Sequence, residues 1–181
     1  MNKRQKGFSL IELLIVVAII LIIAAIAIPN LLKARIAANQ SSAAASLRTL
    51  STSATMYQST YQDGYPGSLA VMGPPATPPA NCNTAGLIDS VLADATAATA
   101  PKSGYYFTWQ VGATQLATAA TGCSAAGYSD MFAIAATPSA VGTTGTEYYC
   151  VDANNVIYQS NAAIAPATTG CPTTGDTPIG N

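Results

Sequence analysis

Histidine is missing from this 181-residue chain, and charge is scarce: 7 Lys or Arg and 8 Asp or Glu, 8% of residues against the ~25% of an ordinary soluble domain. The missing imidazole removes the commonest general base, the commonest zinc ligand and every Ser-His or Cys-His nucleophile. A net charge of −1 and a pI near 5.0 leave no basic surface for a phosphate backbone, so nucleic acid is not an expected partner. No glycine-rich phosphate-binding loop is present. The composition therefore speaks against a hydrolase, a zinc enzyme and a nucleic-acid reader. The length suits one ordinary domain.

What the chain does have is apolar sequence, and it is concentrated. Residues 13–28 are all Leu, Ile, Val or Ala, and extension back to Phe8 gives 21 residues interrupted only by Ser9 and Glu12. As a helix rising ~1.5 Å per residue, this stretch measures about 31 Å, the thickness of a bilayer's hydrocarbon core. Lys3, Arg4 and Lys6 precede it and hold that end in the cytoplasm, which puts everything after Ile28 outside. An ordinary secretory signal would be cut near Ala25-Ile26-Ala27. Against that reading stand the long apolar region, the acid near its start and the helical pattern that continues beyond it. A plain membrane anchor gives Gly7 and Glu12 no role.

Lys6-Gly7-Phe8-Ser9-Leu10-Ile11-Glu12-Leu13-Leu14-Ile15-Val16-Val17-Ala18-Ile19-Ile20 resembles the amino terminus of type IV pilins and pseudopilins. The resemblance covers about thirty residues and implies that a prepilin peptidase cuts after Gly7 and that Phe8, the new first residue, is methylated. It also gives Glu12 and Pro29 counterparts in the family pattern. The implied fold is α+β: a long amino-terminal helix, half membrane-spanning or filament core, packed on a small antiparallel-sheet head.

Physical chemistry reaches the same residues independently. Glycine before the cut lets a peptidase approach the backbone without meeting a Cβ. An ionisable group inside a membrane helix costs ~2.5 kcal/mol or more at the bilayer centre and by default implies function. The one cation within two turns of Glu12 is the amine of Phe8, released by cleavage and kept positive by methylation. Pairing Glu12 of one copy with the Phe8 amine of the next would satisfy both and set the axial register of packed helices.

Pro29 lacks an amide hydrogen and should kink or locally open the helix. Helical spacing then resumes through Ile36, Ala43, Leu47, Leu50, Ala54, Tyr57 and Tyr61, an amphipathic stripe ending at the turn cluster Asp63-Gly64-Tyr65-Pro66-Gly67. The expected organisation is a leader over 1–7, a membrane or filament-core helix over 8–28, an amphipathic continuation over 29–61 and a head over 62–181. Within the head, Pro74-Pro75-Ala76-Thr77-Pro78-Pro79 reads as an extended surface connection, and Leu87, Ile88, Val91 and Leu92 as one face of a short helix. Alternation over 105–111 predicts a strand, 128–135 a second, and 147–151 with 156–159 a hairpin around Asp152-Ala153-Asn154-Asn155. Three or four antiparallel strands across the helix are expected.

Cys82, Cys123, Cys150 and Cys171 all lie beyond the membrane segment, where disulfides persist, and their even number points to two bridges. Three pairings are possible; Cys150 with Cys171 and Cys82 with Cys123 is the favoured one. Their spacing fits no zinc site. Major pseudopilins of type II secretion bind calcium in a carboxy-terminal loop, yet Asp63, Asp89, Asp94, Asp130, Glu147, Asp152 and Asp176 are too scattered to build one, so no cofactor is expected.

The functional expectation is a pilus subunit that polymerises with copies of itself after insertion in the inner membrane. The peptidase, a separate assembly ATPase and its platform would be the other partners. A type II secretion pseudopilin is the alternative, and a secreted or anchored surface-binding module using Trp109 and the tyrosines is the second.

Overall fold

A computed structural model describes residues 8–61, 64–114, 123, 129–172 and 175–179. Its first element, α1 (Leu10–Tyr61), is a helix of 52 residues. The Ile- and Val-rich start of α1 has no strong helical propensity in water. In lipid, however, a single segment satisfies all its backbone donors and acceptors only as a helix, and side chains of any apolar type then serve. The helix runs through Pro29 without a break in its helical course.

The chain forms two compact units, one reaching Arg35 and the other beginning at Ile36. In the second unit, Ala43, Leu47, Leu50, Ala54 and Tyr57 of α1 are buried, while Ser41, Ala45, Arg48, Thr52 and Met56 face outward. The expected stripe is thus the face that meets the sheet. After α1 come two short helices, α2 (Leu69–Met72) and α3 (Ser90–Asp94). The latter begins later than the Leu87 to Leu92 pattern implies, because the Asp89 side chain caps it by accepting from the Leu92 amide at 2.9 Å. Val91 is consequently exposed, whereas Ile88 and Leu92 are buried.

Five strands, β1 (Tyr105–Val111), β2 (Phe132–Pro138), β3 (Tyr148–Asp152), β4 (Ile157–Ser160) and β5 (Thr177–Ile179), form one antiparallel sheet in chain order. The second lies three to four residues later than its apolar pattern suggests; Tyr128 falls outside the described residues. The β3–β4 turn is built by Asp152, whose carboxylate accepts from the Asn154 amide at 2.9 Å while Asn155 takes a left-handed φ of 61°. Strand β5 has no counterpart in the sequence pattern. Three residues with Pro178 among them look like tail, and they form a strand because β4 offers an open edge. Proline there removes one donor from the new edge, which discourages further pairing.

One side of the sheet packs on α1. Tyr105, Phe107, Phe132, Ile134, Tyr149, Val151 and Ile157 join Leu47, Leu50 and Tyr57 in the main core. Behind the sheet, Ala133, Cys150, Ile164 and Cys171 form a second, small cluster roofed by Tyr148 and Tyr158. Disulfides join Cys82 to Cys123 and Cys150 to Cys171. The 21-residue separation of the latter pair is worth roughly 3 kcal/mol in the chain-entropy account. Asp152 accepts from the Cys171 amide at 3.3 Å beside this bridge, and Gly170, at φ 115°, is needed because a Cβ would lie 2.8 Å from the Asp152 carboxylate.

Candidate functional site

The amino-terminal segment is where sequence chemistry and geometry meet. Phe8 and Ser9 are not helical, and α1 begins at Leu10. Ser9 therefore sits at the N-cap and Glu12 three residues on. The Ser9 amide donates to Glu12 Oε2 at 2.9 Å, while the Ser9 carbonyl accepts from the Glu12 and Leu13 amides at 3.1 and 3.3 Å. This is one arm of a capping box, in which the third residue of a helix turns its carboxylate back on the N-cap amide. The pattern Ser-x-x-Glu before an apolar run is its sequence signal, and reading Glu12 for its charge alone passes over it. Gly7 lies outside the described residues; Phe8 is exposed.

From Leu10 to Leu32 the large apolar side chains of α1 are exposed all round, and only the small Ala24 is half-buried. By length and composition this is a helix able to cross a membrane. An apolar surface on every side has no favourable state in water; it belongs in lipid or among other apolar helices. The one acid in that stretch is Glu12.

The head holds its polar groups in structural contacts. Asn39 Nδ2 of α1 donates to the Thr144 carbonyl at 2.9 Å, Gln40 Nε2 to Thr146 Oγ1 at 3.0 Å, and Ser42 Oγ to Ser103 Oγ at 3.0 Å. The first two bonds clasp the β2–β3 loop to the helix, and the third holds the turn before β1. Next to them, the Tyr149 hydroxyl donates to Glu147 Oε2 at 2.6 Å and the Tyr105 hydroxyl to the Glu147 carbonyl at 2.8 Å. Gly145 makes room for Tyr105: a Cβ there would collide with the phenol oxygen.

Burial, reinforced by the Glu147 carboxylate, pushes the Tyr105 phenol up to about 12. Tyr149 is raised as well, first by burial and then by its bond to Glu147. A group whose folded value lies above its unfolded one stabilises the fold fully below the unfolded value, ~10, and loses that contribution as pH climbs toward the folded value. The melting temperature should therefore hold to about pH 9 and fall between pH 10 and 12. Tyr149→Phe should flatten that fall; an equally steep alkaline limb in the variant would show that other groups cause it.

Trp109, expected as part of an alternative binding platform, is on the helix-facing side of the sheet, stacked on Phe132 with ring centres 5.2 Å apart and planes 10° apart. Of the acids weighed for calcium, Asp152 spends its carboxylate on two backbone amides and Asp89 on a cap and on Lys102 at 3.4 Å. Among the described residues no three His, Cys, Asp or Glu side chains gather as a metal site would require. Asp63 lies outside the described residues.

Residues 2–28 match the family model described as the prokaryotic N-terminal methylation motif. Over 51 residues, 28% of this chain, the sequence is 57% identical to the type IV major pilin protein PilA of Myxococcus xanthus, covering 23% of that protein. Over 56 residues, 31% of the chain, it is 54% identical to the type IV wide pilus major component PilA4 of Thermus thermophilus, covering 43% of it. Over 82 residues, 44% of the chain, it is 32% identical to the type II secretion system core protein G of Dickeya chrysanthemi, covering 54% of it. The chain thus spans about half or less of the length of the curated relatives it matches. No solved structure matches it.

Proposed function

We infer, from the chain's membership of the type IV pilin and pseudopilin family, that it is the structural subunit of a type IV pilus. It is made as a membrane precursor, cut after Gly7, methylated on Phe8 and polymerised for adhesion or motility. Its work is packing, not catalysis. The observation that carries this reading is an apolar helix exposed all round whose lone acid, Glu12, stands four residues from the amine that cleavage would create. In the membrane that helix is solvated by lipid; in a fibre, by copies of itself. The exchange of one apolar environment for another sacrifices little hydrophobic stabilisation, and Ala18, Ala24, Ala25 and Ala27 permit close approach of neighbouring helices. Glu12 and the Phe8 amine of adjacent copies then set the register. The peptidase, an assembly ATPase and its membrane platform act as partners, and the head, carrying both disulfides, forms the outer surface of the fibre.

The likeness to a type II secretion core protein favours a second reading, a subunit of a periplasmic pseudopilus. Mass spectrometry of the mature protein tests the shared mechanism: the expected first residue is N-methylated Phe8, and a chain beginning at Ile28 would sink it. Recovery of the chain in long purified surface fibres supports the pilus; its confinement to the periplasm supports the secretion system.

A further inference from the structure

Where the apolar run of α1 gives way to its first cations, Ile28, Leu31, Leu32 and Arg35 line a hollow of about 440 Å³. Positions i, i+3, i+4 and i+7 stand above one another on one side of a helix. The hollow therefore follows the helix axis, with three aliphatic side chains below and a guanidinium at its upper end. All four residues are exposed and belong to the first compact unit. Among the described residues Arg35 makes no ion pair. The uncharged stretch between Glu12 and Lys33, residues 13–32, holds 20 positions. That is about 30 Å of helix, the depth of a hydrocarbon core. Arg35 stands ~4.5 Å past its end, at the level of lipid phosphates, while Ile28, Leu31 and Leu32 meet the upper carbons of acyl chains.

Charge selects the headgroup. The one acid among residues 1–35 is Glu12, at the opposite end of the span. The ammonium of a zwitterionic headgroup would thus find no carboxylate of this unit beside Arg35. A headgroup of net negative charge brings its phosphate to the guanidinium without that unpaired cation, and the planar fork suits two phosphate oxygens. Lys33 is the other cation at this depth, but it stands about 200° around the helix from Arg35 and is not a wall of the hollow. The site therefore has a cation of its own, separable from the general positive charge of the segment.

We propose that this hollow binds one anionic phospholipid of the leaflet on the head side, its phosphate on Arg35 and an acyl chain along Leu32, Leu31 and Ile28. The proposal rests on α1 spanning a membrane, which the pilus and pseudopilus readings share, and not on polymerisation. The test places the full-length chain in phosphatidylcholine vesicles carrying traces of nitroxide-labelled phosphatidylglycerol or phosphatidylcholine. Electron spin resonance then reads how much of each label the protein immobilises. Wild type should hold the anionic label about fivefold more strongly, the effect expected of one cation at the lipid surface. Arg35→Gln should bring that ratio close to one, and Arg35→Lys, which keeps the charge, should stay within about twofold of wild type. Lys33→Gln removes an equal charge outside the hollow and should also stay within about twofold. Equal immobilisation of the two labels by wild type overturns the proposal. So does a loss in Lys33→Gln as large as in Arg35→Gln, which would mean diffuse attraction, or displacement of the lipid by dissolved glycerol phosphate. A chain that does not float with the vesicles overturns the membrane-spanning reading as well; one that floats without preference overturns this proposal alone.

Discussion

Replacement of Glu12 by alanine should yield a chain that is inserted, cut and stable, yet almost absent from fibres when made beside wild-type subunits. In the proposed mechanism cleavage would depend on Gly7 and the leader and insertion on the apolar run, whereas the carboxylate would act only in assembly. Truncating one partner of a buried, hydrogen-bonded charge pair costs about 2–5 kcal/mol, so incorporation should drop at least ~30-fold. The geometry at Ser9 sharpens the experiment. Because Glu12 Oε2 accepts from the Ser9 amide, alanine removes a helix cap as well as a charge. Glutamine can keep the cap through its side-chain oxygen but not the charge. If the ion pair sets the register, Glu12→Gln should fail like alanine; if the cap alone matters, it should assemble. Fibres with normal content of either variant would defeat the register role.

A second large effect is expected in the head. Phe132 is buried between Trp109, stacked at 5.2 Å, and Tyr65, edge-on at 4.7 Å. Phe132→Ala leaves a cavity that these rigid neighbours cannot close without giving up their own contacts. The loss should be about 3–5 kcal/mol, read as a lower denaturation midpoint of the full-length chain by Trp109 fluorescence. Much of the stability of a small head would go with it. A loss below ~1 kcal/mol would mean that Trp109 and Tyr65 collapse into the gap. Membrane insertion and cleavage should be untouched, since the substitution lies in the other compact unit.

The amino-terminal half is legible in the sequence because its signals are local. A run of apolar residues names its solvent by length alone, and Gly7, Phe8 and Glu12 stand within six positions of one another. The stripe from Ala43 to Tyr57 is equally plain, since helical periodicity depends only on spacing. In the head the signals are weaker. Alternating aromatics mark β1, and Asp152 to Asn155 mark the hairpin turn. The Ala-rich β2 is displaced from its expected position because alanine has little strand preference of its own. Strand β5 leaves no signal because a neighbour, not its composition, makes it a strand.

By itself, then, the sequence determined the membrane-length segment, the motif around Gly7, Phe8 and Glu12, the helical face that the head would cover, and the absence of imidazole chemistry. These follow from residue type and spacing along one chain. The tertiary structure alone decided which cysteines meet, that Trp109 faces the core while Tyr106 and Tyr148 share the opposite face, and that the Asp152 carboxylate accepts from the Asn154 and Cys171 amides. The placements on the sheet depend on strand register, and a shift of one residue would have exchanged its two faces.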